Sequence, residues 1–216
     1  MTPAKRRAFI LANTRLQSPP RVPEVTLHLA DEITPLWQLT EREMGEMELP
    51  PPFWAFAWPG GQGLARYLLD HPEEVRGRRV LDFATGSGLV AIAAMKAGAV
   101  EALGADIEPF CEAAVALNAT ANGVELAFTS EDLLAGDPPA ADVILAADVS
   151  YEKPVAERVR GWLDRAAAGG ARVLMGDPDR VYFEHRGLKR LAMYDVATTR
   201  ELEDREVKRA GVWTFA

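Results

Sequence analysis

Cysteine is nearly missing from this chain: Cys111 stands alone among 216 residues. An internal disulfide framework is therefore excluded, and so is a cysteine-rich zinc site. Histidine is almost as scarce, and His28, His71 and His185 lie too far apart in the sequence to suggest a cluster, so no metal is expected. No apolar run approaches the roughly 20 residues of a membrane span, and no membrane association is expected. Cationic excess is lacking as well. The chain has 24 Lys and Arg against 32 Asp and Glu, a net charge of −8, which argues against bulk electrostatic binding to nucleic acid or an anionic membrane. The start of the chain is basic (Lys5, Arg6, Arg7, Arg15 and Arg21, with no acid before Glu24). The apolar stretch among them, Phe9 to Ala12, is too short for a secretory signal. A cytoplasmic protein is expected, or one of the mitochondrial matrix if that basic segment is a presequence. The oligomeric state is not legible, with a monomer as the default.

What is present suits an α/β protein of one principal domain: 48% of the residues are apolar, enough for a full core. Residues 1–49 read as an N-terminal extension packed on that core. Pro3–Ala12 has a helical pattern, Val25–Leu29 alternates like a short strand, and Thr34–Met44 reads as a second helix. Residues 50–216 then form the main domain. It opens on Pro50-Pro51-Pro52-Phe53-Trp54-Ala55-Phe56-Ala57-Trp58-Pro59-Gly60-Gly61, four aromatics between two sets of chain breakers, and continues as a helix over Gln62–Leu69. Strands are expected at Val80–Phe83, Val100–Asp106, Glu125–Thr129, Asp142–Ala147 and Arg172–Gly176. Between them fall helices at Gly88–Ala97, Pro109–Asn122 and Lys153–Ala168. This alternation implies a parallel sheet with right-handed crossovers. Two last strands, Leu191–Thr199 and Val207–Thr214, have only the charged turn Glu201–Arg205 between them, which implies an antiparallel edge pair.

The turn after the first strand of that series reads Asp82-Phe83-Ala84-Thr85-Gly86-Ser87-Gly88. Small residues let the backbone approach a ligand, and the helix that follows offers free N–H groups. Asp106 closes the next strand, followed by Ile107, where a carboxylate can accept both hydroxyls of an adenosine ribose. Gly86-x-Gly88-x-x-Ala91 with an acid about 20 residues on also fits a dinucleotide fingerprint, which would make a nicotinamide-dependent oxidoreductase. Asp82 favours S-adenosylmethionine instead, because with that donor's ammonium and sulfonium a carboxylate near the turn has cations or ordered amides to bind. Asp132, after the third strand, is placed to accept from the adenine amine; alternatively Ser130 caps a short turn there and Asp132 is merely solvated.

The fourth strand runs into Asp148-Val149-Ser150-Tyr151, the edge where a methyl acceptor would lie. Nucleobase amino-methylating enzymes often have Asn-Pro-Pro-Tyr at this place. A carboxylate suits a more basic amine, a lysine side chain. Burial lowers a lysine's pKa while a carboxylate opposes that shift, so the proton is expected to leave through water before the amine is enclosed. The plain alternatives are that Asp148 braces a loop or a helix N-terminus and that Tyr151 only packs. Trp54 and Trp58 are the candidates to wall the pocket, by stacking or cation–π attraction, and Phe53 and Phe56 the candidates for core.

Pro52–Gln62, Val80–Gly88 and Asp148–Tyr151 together resemble the seven-β-strand protein lysine methyltransferases. Within that group the chain is similar to the electron transfer flavoprotein β-subunit lysine methyltransferases, through Trp58-Pro59-Gly60-Gly61, Tyr67-Leu68-Leu69, Gly176-Asp177-Pro178 and Val212-Trp213-Thr214-Phe215. The likeness spans Pro52 to the C-terminus. It implies a Rossmann-like seven-stranded sheet, S-adenosylmethionine as donor, and as substrate the lysines of a flavoprotein β-subunit loop that docks onto partner dehydrogenases. By motif, Asp82, Ala84, Thr85, Gly86 and Gly88 would bind the donor, Asp106 its ribose, and Asp148 with Tyr151 the lysine. Ala84 stands where the family more often has glycine, as does Asp179. A small-molecule or other-protein methyltransferase is the alternative.

Overall fold

The computed structural model describes residues 1–31, 33–44, 52–198, 203 and 205–216. The expected features at Pro50-Pro51 and at residues 201, 202 and 204 of the charged turn lie outside them. In chain order come α1 (Pro3–Asn13), β1 (Arg15–Gln17), β2 (Leu27–Leu29), α2 (Ile33–Met44), α3 (Pro59–Asp70), β3 (Arg79–Phe83), α4 (Leu89–Lys96) and β4 (Glu101–Ala105). Then follow α5 (Cys111–Asn122), β5 (Ala127–Thr129), β6 (Val143–Ala147), α6 (Lys153–Ala168), β7 (Arg172–Asp177), β8 (Leu188–Ala197) and β9 (Val207–Phe215). None of the described helices is long and apolar enough to cross a membrane.

β3 to β9 make a seven-stranded sheet in the order β5-β4-β3-β6-β7-β9-β8. The first five of these neighbours pair in parallel, while β9 is antiparallel to both β7 and β8. The Rossmann-like mixed sheet with an antiparallel edge pair is therefore as the alternation of elements implies. The chain walks outward from β3 to β5 and then returns to place β6 beside β3. That reversal opens a crevice at the C-terminal ends of β3 and β6, where open α/β sheets bind ligands. One face of the sheet is covered by α3 and α4, with Leu64, Leu68, Val90 and Ala94 on Leu145, Leu174 and Val212. On the other face Val159, Trp162 and Leu163 of α6 pack on Leu81, Ile144 and Val173.

One helix departs instructively from its sequence pattern and another keeps to it at its end. α3 begins at Pro59, three residues ahead of the expected Gln62, although Gly60, Gly61 and Gly63 are poor helix formers. These glycines let the helix lie directly on the sheet: a β-carbon at Gly60 would stand 2.5 Å from the Gly176 carbonyl, and one at Gly63 would stand 2.9 Å from the Ala210 methyl. α5 ends as expected, with Gly123 in the left-handed conformation at φ 65°.

The N-terminal segments dock through polar groups as well as through the cluster of Phe9, Ile10, Trp54 and Phe110. β1 leaves no sequence signal, because Arg15 and Leu16 are exposed and the strand exists by pairing with β2. β2 in turn rests on two asparagines of α5. Asn118 Oδ1 accepts from the His28 N–H at 2.7 Å, and Asn122 bonds both the N–H and the carbonyl of Thr26. The amide of Asn118 continues to the Ser87 carbonyl at 2.8 Å, which ties the extension to the glycine turn.

Candidate functional site

A cavity of about 620 Å³ opens over the ends of β3, β4 and β6, within the roughly 300–1,000 Å³ of small-ligand sites. Its wall brings together Asp82, Ala84, Thr85, Gly86, Asp106, Ile107, Asp132, Asp148, Tyr151, Trp54 and Trp58, which are scattered through the sequence. Gly88 stands just behind this wall, at the N-cap of α4 with φ 82°.

The turn from β3 to α4 is held from below. Asp82 is 2% exposed, and its Oδ2 accepts from the Thr85 hydroxyl at 2.6 Å and from the Ala91 N–H at 3.0 Å. The carboxylate thus braces the turn and the first turn of α4, binding the ordered amide expected of it, while it stays in the cavity wall. Burial pushes its carboxyl up to about 7, against the two hydrogen bonds. Ala84, exposed to the cavity, has φ 54°, in the region that favours glycine. Glycine would sit there at ease, whereas alanine is strained.

Asp106 reaches across from β4. Its Oδ2 accepts from the Gly86 N–H at 2.9 Å and its Oδ1 from the Glu108 N–H at 3.0 Å. Each oxygen keeps a lone pair for a hydroxyl facing it. Ile107 is 69% exposed at the rim. Asp132 is exposed and itself caps the short 3₁₀ turn Leu133–Ala135 by accepting from the Leu134 N–H, so the cap is Asp132 and not Ser130. Glu108 was missed by sequence reasoning, though the Asp106-x-Glu108 spacing was visible. Its carboxylate accepts from the Phe110 N–H and the Cys111 thiol at the start of α5, and burial raises it to about 7.

On the acceptor side the rings divide differently from the expectation. Trp54 is wholly buried and stacked on Phe110 at 5.4 Å, while Phe53 joins the pocket wall, 5.6 Å from Tyr151 and 5.6 Å from Trp58. Phe56 is core, as expected, and Trp58 is half-buried at the cavity. Tyr151 is 47% exposed, and its partial burial raises its pKa.

Asp148, at φ 56°, has both oxygens engaged. Oδ2 accepts from the Gly61 N–H at 2.7 Å, which caps α3 from a neighbouring strand, and Oδ1 pairs with Arg180 Nη2 at 2.9 Å. Burial raises its carboxyl, while Arg180 and the α3 amides oppose that rise. A bracing role and a place in the cavity wall therefore coexist in one residue. The same nitrogen of Arg180 bonds Glu203 at 2.9 Å, and its guanidinium lies 5.8 Å from the Trp58 ring centre. Neither Arg180 nor Glu203 carried any sequence signal.

Three buried carboxyls, Asp82, Glu108 and Asp177, sit near 7 because burial outweighs their hydrogen bonds. Between their ordinary values and about 7 the folded chain keeps protons that the unfolded chain has lost. The stability they supply is complete below about pH 4 and is lost as pH rises through 7. The ligand-free protein is expected to melt higher near about pH 5.5 than near about pH 8, and Asp82→Asn to narrow that gap in a calorimetric scan.

A family model described as ribosomal protein L11 methyltransferase (PrmA) matches residues 66–150. An electron transfer flavoprotein beta subunit lysine methyltransferase of Xenopus laevis is 36% identical over 215 residues, 97% of this chain and 86% of that protein. Its counterpart from Homo sapiens is 32% identical over 97% of this chain and 81% of its own length. Among solved structures, the ribosomal protein L11 methylase of Lactobacillus delbrueckii subsp. bulgaricus has a TM-score of 0.52 at 20% identity, covering 74% of this chain and 80% of that one. Magnesium protoporphyrin IX methyltransferase of Synechocystis, solved with bound SAM, gives 0.53 at 18% identity over 72% and 78%. The structural likeness concerns the fold. The sequence relatives are methyltransferases, which closes the dinucleotide alternative that the glycine spacing had left open.

Proposed function

The chain belongs to the electron transfer flavoprotein β-subunit lysine methyltransferase family, and from that premise we propose that it transfers methyl groups from S-adenosylmethionine to lysine side chains of an electron transfer flavoprotein β-subunit. The observation that carries the reading is one cavity walled by two sets of groups: a glycine turn with Asp106 on the β3–β4 side, and Asp148, Tyr151, Phe53 and Trp58 on the β6 side.

The donor half fits the chain's own chemistry. The backbone at Gly86 and Gly88 has left-handed φ values of 53° and 82°, and no side chain on either crowds the crevice. Asp106 offers lone pairs to the ribose hydroxyls, Asp132 borders the adenine end, and Ala84, Thr85 and Ile107 complete the wall. The bound donor supplies a methyl group on a positively charged sulfur: a nitrogen–carbon bond forms as the carbon–sulfur bond breaks with its electron pair on sulfur. The protein contributes alignment and exclusion of water. Tyr151 and Phe53 give the lysine's methylene stem an apolar wall, and Asp148 accepts a hydrogen bond from its nitrogen.

Incubation with methyl-labelled donor and the flavoprotein β-subunit, followed by peptide mapping, tests the proposal. Label is expected on lysine side chains of that subunit. Label on ribosomal protein L11 instead would favour the other-protein alternative, which the family-model match supports. Label confined to nucleic acid or a small amine would overturn the reading.

A further inference from the structure

A bare carboxylate keeps a neighbouring ammonium protonated, whereas methyl transfer needs the free amine. Asp148 is not bare. Arg180 Nη2 lies 2.9 Å from its Oδ1 and 2.9 Å from Glu203 Oε1, and the guanidinium faces the Trp58 ring. The loop after β7 is shaped to put it there. Asp177 Oδ1 accepts the Arg180 N–H at 2.7 Å, and Asp179, the residue before, has left-handed backbone at φ 64°. His185 Nε2 holds the Asp179 carboxylate at 2.8 Å. The Arg180 side chain is 18% exposed and lines the same cavity as the glycine turn and Tyr151.

We infer that Arg180 is a positioning residue of the transfer reaction: by pairing with Asp148 it leaves that carboxylate able to accept a hydrogen bond from the substrate nitrogen while cancelling the charge that would keep the nitrogen protonated. The inference rests on the reading that a protein lysine enters between Asp148 and Tyr151.

The charged groups around the guanidinium are consistent with it. Asp148 faces it from the end of β6, and Glu203 from ahead of β9, with Lys208 of β9 3.4 Å from the other Glu203 oxygen. Two carboxylates thus meet two cations. Asp177 at the end of β7 adds a carboxyl that burial raises to about 7, and Asp179 with His185 forms its own pair on the loop. Tyr151 is neutral. The lysine that arrives meets a balanced field and an aromatic wall, and its ammonium gives a proton to water before the nitrogen takes the methyl group.

The test is kcat/KM against pH with the flavoprotein β-subunit, for the parent, Arg180→Lys and Arg180→Met. Arg180→Met is expected to move the acid-limb inflection upward by about one unit or more, a loss of about tenfold or more at neutral pH that is recovered in alkali. Arg180→Lys is expected to keep the parent's inflection, and all three forms to bind S-adenosylhomocysteine alike in a thermal-shift assay. A uniform loss at every pH, or an unmoved inflection, overturns the inference. If Arg180→Met does not fold, Glu203→Gln runs the test in reverse. It leaves surplus positive charge and must lower the inflection, and no shift there overturns the inference as well. A parent enzyme that labels no lysine overturns the underlying reading and this inference with it; lysine labelling with an unmoved inflection overturns this inference alone.

Discussion

Replacing Asp148 with alanine is expected to cut methyl transfer by at least about 100-fold while S-adenosylhomocysteine still binds. The size follows from orientation: a reacting group misplaced by about 1 Å loses on the order of 10²-fold. Two contacts disappear together, the acceptor for the Gly61 N–H that fixes the start of α3 and the partner of Arg180. The side chain is 11% exposed, and removing one member of a buried pair costs up to about 3–5 kcal/mol when the other is left uncompensated; here Arg180 keeps Glu203, so the cost falls below that range. The melting temperature should therefore fall too. Asp148→Asn separates the two effects. Its amide oxygen can still cap α3, so it should recover part of the stability, and Arg180 then keeps Glu203 as its carboxylate partner. Calorimetry with S-adenosylhomocysteine and turnover on the flavoprotein subunit check both halves. If the alanine variant turns over within about threefold of the parent, a misplaced acceptor nitrogen is not the outcome and the assigned role is wrong.

The second large effect is expected at Asp106. Alanine there removes the acceptor for the Gly86 and Glu108 amides along with the proposed ribose contacts. Hydrogen bonds to a charged group are worth about 1.5–3 kcal/mol each, so loss of two corresponds to about 100-fold or more in donor affinity. Asp132→Ala serves as the contrast. That side chain is exposed and caps a single 3₁₀ turn, so donor affinity should change by no more than a few-fold. Titration calorimetry with S-adenosylhomocysteine on both variants decides the matter. An Asp106→Ala protein that binds as tightly as the parent would remove the donor role from that carboxylate.

Much of this architecture was open to reading in the primary structure because its signals are local. Continuous apolar runs such as Val143–Ala147 mark strands buried on both faces, and Gly123 marks a helix end. The Asp82–Gly86–Gly88 turn with Asp106 marks a ligand crevice, since glycine spacing dictates backbone conformation over a few residues. The departures at Ala84 and Asp179 also make sense once the backbone is known: both sit at positive φ, where glycine is at ease and other residues are strained.

What each acidic side chain does was settled elsewhere. Asp82 reads as a ligand group and is also a brace, because a hydroxyl and an amide fold back onto one of its oxygens while the residue stays in the cavity wall. Trp54 reads as pocket and lines it from a wholly buried position, because α1 and α5 bring Phe9 and Phe110 to it. The α3 start and the Asp148–Arg180–Glu203 cluster depend on residues that the chain separates widely and that the β6–β7–β9 register brings together. The sequence alone determined the order of strands and helices in the main domain and the position of the crevice, through periodicity and turn chemistry acting over a few residues. Only the tertiary structure decided which carboxylates are free and which are paired, because charge pairing depends on distance through space and no local pattern encodes it.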